Sequence, residues 1–342
     1  MRAVVYHVTG APQVLELAER PVPTPGPGQV RVRIIISGVN PTDWKSRRGT
    51  RPGQPLPFPV VVPNQDGSGI VDAVGPGCQL VVGQRVWIWE AGFKRADGTA
   101  QELVVLPQRQ VVPLPDHATL EVGASLGIPA LTAHRTLTVS EGGPDRLRPG
   151  ALDGRTVLVA GGAGAVGHAA IQLARWAGAT VVSTVSSDLK GELARLAGAH
   201  HVVNYRTPDP AGQVRAAAPE GVDTVVEVAP AVNAALDLAV LSPNGTVAVY
   251  ANNGGDEATL PIRAAMTANL RYQFVLVYTV PDQAKDNAVD DVSSAVHDSA
   301  LPVGADAGLP VTRFSFAQTA AAHQAVEDNV VGKVLIDIAA QP

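Results

Sequence analysis

The stretch VLVAGGAGAVGHAAIQLARWAGATVVSTVSSDLK, residues 157–190, decides the fold. It runs from an apolar segment through clustered glycines into an amphipathic pattern, and then into a second β-branched segment. Glycines alone only punctuate turns. Here Gly162, Gly164 and Gly167 form a G-x-G-x-x-G between an expected strand and an expected helix, the context a dinucleotide-binding turn requires. The first glycine permits a tight turn, the second lets backbone approach a pyrophosphate, and the third allows close helix–strand packing. Ala165 and Val166 open the helix, whose first N–H groups have no intrahelical partner and point at the anion.

The dinucleotide is chosen about 20 residues further on, where an acidic side chain would accept from the ribose 2'-hydroxyl of NAD. The chain there reads Thr184-Val185-Ser186-Ser187-Asp188-Leu189-Lys190. Asp188 lies beyond the expected strand end, where Ser187 or Asp188 makes a natural N-cap for the helix of LKGELARLAG. A 2'-phosphate needs donors and a cation, which Ser186, Lys190 and Tyr205 supply if the VVNY strand end lies alongside. The tip therefore favours NADP(H), with Asp188 as the rival sign of NAD.

Working outward, strand and helix alternate from RTVLVA through TVVSTV, HVVNY and VDTVVEVA to GTVAVYAN, the order of a doubly wound parallel sheet. Helices are expected at about 165–178 and about 188–198, and a further helical spacing begins near residue 118. Before it, AVVYH, QVRVRIII, GSGIVDAVG, QRVWIWE and AQELVVLP read as short strands of an antiparallel, barrel-like domain. After about residue 262 the pattern is mixed and ends in GKVLIDI, a strand able to rejoin the first domain.

A chain of 342 residues exceeds what one core usually supports, so two domains are expected. With 46% hydrophobic and 17% charged residues, disorder is excluded as a description of the whole. A formal net charge of −5 gives no global field for nucleic acid or anionic lipid, and Lys45, Arg47, Arg48 and Arg51 read as a solvated loop. Cys78 is the single cysteine, which excludes a disulfide framework and a multi-thiolate zinc site. No apolar run approaches the ~18 residues of a membrane span, and no signal-peptide pattern opens the chain, so a cytoplasmic protein is expected.

RAVVYHVTGAPQVLELAERPVPTPGPGQVRVRI, SGVNPTDWKSRRGT, GIPALTAHRTL, VLVAGGAGAVG, GAHHVVNYR and GKVLIDI, in that order and spacing, resemble the quinone oxidoreductase (zeta-crystallin) branch of the medium-chain dehydrogenase/reductase superfamily, over essentially the whole chain. The resemblance implies an α/β protein with a GroES-like β-barrel domain, residues 1–127 and 263–342, around a Rossmann doubly wound parallel-sheet domain, 128–262. It implies an active site in the cleft between them, a homodimer, and hydride transfer from NADPH to a quinone or other conjugated carbonyl. By position, Lys190 and Tyr205 match the 2'-phosphate contacts, with Ser186 assisting. Thr132 matches a residue beside the nicotinamide, Asn252 follows the last Rossmann strand near the same ring, and the backbone around Val277 holds the carboxamide.

Zinc-dependent relatives place a cysteine where this chain has Asn40 and a His-Glu pair near Asn64-Gln65-Asp66, so the expected zinc ligands are missing. The adjacent His200 and His201 lack ligand spacing as well. Without metal, the reaction expected is one the cofactor drives, with the protein supplying position and electrostatics. Asn40 and Thr132 are the candidates for stabilising charge on the substrate oxygen, although Asn40 before Pro41 also reads as a turn residue; Asp43 reads as a cap. Arg51 stands where relatives often carry a pocket tyrosine, so it is either a pocket residue or solvent-facing. The rivals are a C=C reductase of a specific metabolite and a non-catalytic protein that senses NADPH or binds RNA, the latter opposed by the acidic balance.

Overall fold

The computed structural model describes residues 1–341, in two compact units: Met1–Ile128 with the chain from Val311 onward, and Pro129–Pro310. The division falls inside the helix Leu120–Leu137, next to Pro129. No helix among the described residues is long and apolar enough to cross a membrane.

The first unit is built on a seven-stranded sheet ordered Val311–Ser315, Lys333–Asp337, Gln29–Val39, Asp66–Val74, Arg85–Ile88 and Val111–Pro113, with Leu103–Pro107 also on Gln29–Val39. All pairings are antiparallel except the first, Val311–Ser315 beside Lys333–Asp337. QVRVRIII alternates as a strand with one buried face should: Val30, Val32 and Ile34 are fully buried, while Arg31 and Arg33 turn outward to Asp72. Burying each such aliphatic side chain stabilises the sheet by about 1.5–3 kcal/mol. Gly69 sits where the register shifts; a Cβ there would lie 2.0 Å from the Arg33 carbonyl oxygen, so only glycine fits this bulge. The C-terminal strand rejoins this sheet, as GKVLIDI suggested.

The second unit carries a six-stranded, all-parallel sheet ordered His201–Asn204, Thr180–Val185, Thr156–Ala160, Val222–Glu227, Leu241–Val249 and Arg271–Phe274. Val182, Val225 and Val247 are fully buried in near-continuous aliphatic strands, as a sheet covered on both faces requires. Strand order reverses between Thr156–Ala160 and Val222–Glu227, and ligands of open α/β sheets bind at such a switch point, outside the carboxyl ends of the strands. The helices Ala165–Trp176 and Asp188–Leu196 match the expected positions to within two residues.

One expected boundary differs. Residues 263–310, assigned from the sequence to the barrel domain, lie in the second unit, and the chain returns only at Val311. Arg271–Phe274 extends the parallel sheet, and the helix Asp282–His297 is tied to this unit by Asp291, which accepts from the Leu147 N–H at 2.6 Å and bonds His134 Nε2 at 2.8 Å. The pattern looked mixed because this strand is short, and three of its four residues, Arg271, Gln273 and Phe274, are exposed, which breaks the aliphatic signal of the strands before it.

Candidate active site

Strand Thr156–Ala160 delivers the chain into the glycine turn. The left-handed residue of that turn is Gly161, at φ +71°, and not Gly162. Gly162 is required for another reason: a Cβ there would lie 2.1 Å from Ser183 Oγ on the neighbouring strand. Gly164 is the N-cap of the helix Ala165–Trp176 with no side-chain cap, so Ala165 and Val166 open that helix with backbone N–H groups. A Cβ at Gly167 would lie 2.4 Å from the Gly161 carbonyl oxygen and 2.9 Å from Gly162 Cα. The loop is thus a cradle that side chains would fill, closed by Gly164 N–H to the Gly161 oxygen at 3.0 Å, and it fits a pyrophosphate.

The second strand ends at Val185, followed by half-buried Ser186. Ser187 is the N-cap of Asp188–Leu196, its Oγ accepting from the Lys190 N–H. Asp188 is therefore the exposed first residue of a helix rather than the tip of the strand. Tyr205 N–H donates to the Val185 oxygen at 3.0 Å, which brings Tyr205 beside Ser186; Lys190 lies in the first turn of the adjacent helix. Ser186, Tyr205 and Lys190 thus stand on chain segments that flank one strand end.

At the carboxyl end of Leu241–Val249 a cavity of about 660 Å³ is lined by Tyr250, Asn252, Tyr272, Val275, Leu276 and Thr279, among others. Asn252 is on its exposed lip, donating to Asp256 at 2.5 Å. Val277 is buried at the start of the turn Val277–Thr279 next to this lining. Thr132 is buried on Leu120–Leu137, within the second unit.

Asn40 belongs to the first unit and is the N-cap of Pro41–Arg48, so the turn reading and the site reading meet in one residue. Its side chain is engaged at both ends: Nδ2 donates to Asp66 Oδ2 at 2.6 Å and Oδ1 accepts from Lys333 Nζ at 2.7 Å. Asp66 Oδ1 accepts from the Ile128 N–H at 2.9 Å. Asp43 caps the helix, its Oδ2 accepting from the Asn40 N–H at 2.7 Å. Burial, with help from the Asp66 carboxylate, pushes the Asp43 pKa up to about 8 against the pull of that N–H. Arg51 is exposed, held through its carbonyl oxygen by Thr9 Oγ1 at 2.7 Å. A catalytic zinc does not fit the Asn40 position. The side chains bonded to Asn40 are a carboxylate and a lysine ammonium, the His323 imidazole is engaged with Asn64 Oδ1 at 2.9 Å, and Cys78 Sγ is bonded to the Gln29 oxygen on another part of the sheet.

The sequence reading passed over two buried acids. Glu227, at the carboxyl end of its strand, accepts from Ala229 N–H and from Asn233 Nδ2, and shares a hydrogen bond with Asp237. Burial and the Glu227 charge push the Asp237 pKa up to about 9. The only signal in the sequence is an acid ending the otherwise aliphatic run VDTVVE.

Two family models match, the alcohol dehydrogenase GroES-like domain over residues 26–116 and the zinc-binding dehydrogenase domain over 165–294. The chain is 34% identical to the quinone oxidoreductase of Rattus norvegicus over 261 residues, 75% of each chain. It belongs to the quinone oxidoreductase branch of the medium-chain dehydrogenase/reductase superfamily. As a member it is an oxidoreductase, a GroES-like domain joined to a Rossmann-like one. It is also 30% identical to the 2-haloacrylate reductase of a Burkholderia species over 328 residues, 94% of each chain. Among solved structures, an NAD-dependent alcohol dehydrogenase superposes with a TM-score of 0.86 at 31% identity, covering 99% of this chain and 100% of that one. A mycobacterial protein complexed with NADPH superposes with a TM-score of 0.79 at 28% identity, covering 98% of this chain and 99% of that one.

Proposed function

We propose that this protein is a zinc-independent, NADPH-dependent oxidoreductase that reduces quinones or other α,β-unsaturated carbonyl compounds. The observation that carries the reading is the strand end at Val185: a glycine cradle precedes it, the segments bearing Ser186, Lys190 and Tyr205 flank it, and Asp188 opens a helix instead of ending the strand. A charged 2'-phosphate is matched by that set; a ribose hydroxyl would want the acid that is absent from the tip. Gly162, Gly164, Ala165, Val166 and Gly167 hold the pyrophosphate, with Asn252, Val277 and Thr132 toward the nicotinamide end. When bound, NADPH supplies the hydride. The NADPH-bound mycobacterial relative supports this cofactor, and the NAD-dependent alcohol dehydrogenase points to its competitor.

In this reading the chain's own residues orient the acceptor and exclude water. Charge arriving on a carbonyl oxygen is met by hydrogen-bond donors, for which the candidates are Thr132 and Asn40, the latter already bonded to Asp66 and Lys333. The 2-haloacrylate reductase relative, matched over nearly the full length of both chains, favours reduction of an activated C=C bond as the second reading. The two separate by product. NADPH oxidation with a quinone panel and an enone or acrylate panel, followed by chromatography, yields hydroquinone or saturated carbonyl; turnover of neither, with NADPH still bound, leaves a sensor in place of an enzyme.

The homodimer is supported by the edge of the parallel sheet. Arg271–Phe274 is the last strand, and Ile262, Met266, Phe274 and Leu276 beside it are each more than half exposed. An apolar rim on an unpaired strand edge is a pairing surface for a second copy.

A further inference from the structure

A buried polar cluster in the first unit contains a cation of the chain's own. Lys333 is 2% exposed, Asp66 0%, Asn40 2% and Asp43 3%. Lys333 Nζ lies 2.7 Å from Asn40 Oδ1 and 3.8 Å from Asp66 Oδ2. Backbone has been cleared for this group. A Cβ on Gly38 would lie 3.3 Å from both Lys333 Cε and Asp66 Cβ and 2.3 Å from the Ala124 oxygen. A Cβ on Gly127 would lie 2.0 Å from Asp66 Oδ1. The Asp43 carboxyl is buried and meets the backbone N–H groups of Asn40 and Gln65.

Two carboxyl groups and one ammonium in a dry pocket must come close to charge balance, because an unpaired buried ion costs several kcal/mol. Asp66 has three donors around its oxygens, the ammonium among them, and is the partner of that ammonium; Asp43 bonds only backbone N–H groups, those of Asn40 and Gln65, and burial favours its protonated form. The cluster is then neutral with one internal ion pair.

We propose that Asn40, Asp43 and Asp66 form a binding pocket for a small primary ammonium ion, and that Lys333 is its tethered occupant. The inference concerns this pocket alone and stands whatever the acceptor of the enzyme proves to be.

Truncating the tether tests it. Lys333→Ala removes three methylenes and the ammonium, the shape of n-propylammonium. The variant is expected to melt roughly 10 °C below the wild type. Millimolar n-propylammonium is expected to restore much of that loss, while tetramethylammonium at equal concentration restores none and the wild type responds to neither. Rescue no greater than the wild-type response overturns the proposal. If Lys333→Ala does not fold, Lys333→Met, of similar volume, decides. It is expected to melt well below the wild type, and adding Asp66→Asn is expected to recover most of the difference. A Lys333→Met protein as stable as the wild type, or no recovery in the double variant, overturns it.

Discussion

At Asp237 a carboxylic acid keeps its proton at neutral pH, because burial and the Glu227 carboxylate oppose its ionisation. The sign of the consequence follows. The unfolded side chain ionises near pH 4 and the folded one at about 9, so the native state binds more protons between these values and stability falls as pH rises through that window. Asp237→Asn keeps the shape and a donor for Glu227 without an ionisable proton. It is therefore expected to raise the denaturation midpoint relative to wild type more at pH 8 than at pH 5; an equal or smaller effect at pH 8 contradicts the assignment. Lys190→Ala is expected to weaken NADPH by ~1.5–3 kcal/mol and to leave NADH nearly unchanged, as parallel titrations will read. Equal losses for both cofactors contradict a 2'-phosphate role. The close approach at Gly162 and the N-cap at Ser187 were legible in the sequence because they belong to local strand–turn–helix patterns. Lys333, Asp66 and Asp237 were not, since what each does depends on groups that only the tertiary fold brings near.

The helix Ala165–Trp176 owes its position to a missing atom. Gly167 packs so close to the turn before it that any Cβ must push the Gly161–Gly162 backbone aside. Gly167→Ala is expected to lower affinity for either dinucleotide tenfold or more, measured by fluorescence titration, with a lower melting temperature. Unchanged affinity would mean that the turn does not hold the pyrophosphate. The strand–turn–helix was readable because its periodicities are strong and local, but the division of labour among its glycines was not: Gly161, outside the motif, takes the left-handed turn. The edge strand Arg271–Phe274 was missed for the opposite reason, its few residues being exposed and polar enough to look like a loop.

The whole molecule is two units from one chain, and the sequence located the first crossing near Ile128 but not the return at Val311. Periodicity marks elements, whereas unit membership after residue 262 is decided by long-range ties such as Asp291 to His134 and Arg146. At this scale the apolar rim predicts assembly. Phe274→Glu, placing a charge on a side chain that is 71% exposed, is expected to shift the sedimentation coefficient from dimer to monomer without loss of fold; a wild type that sediments as a monomer contradicts the interface. The most direct test of the account compares steady-state oxidation of NADPH and NADH by the purified protein with one quinone and one enone acceptor. The account predicts turnover with a kcat/KM for NADPH far above that for NADH. Preference for NADH, or no oxidation of either cofactor above background, would contradict it.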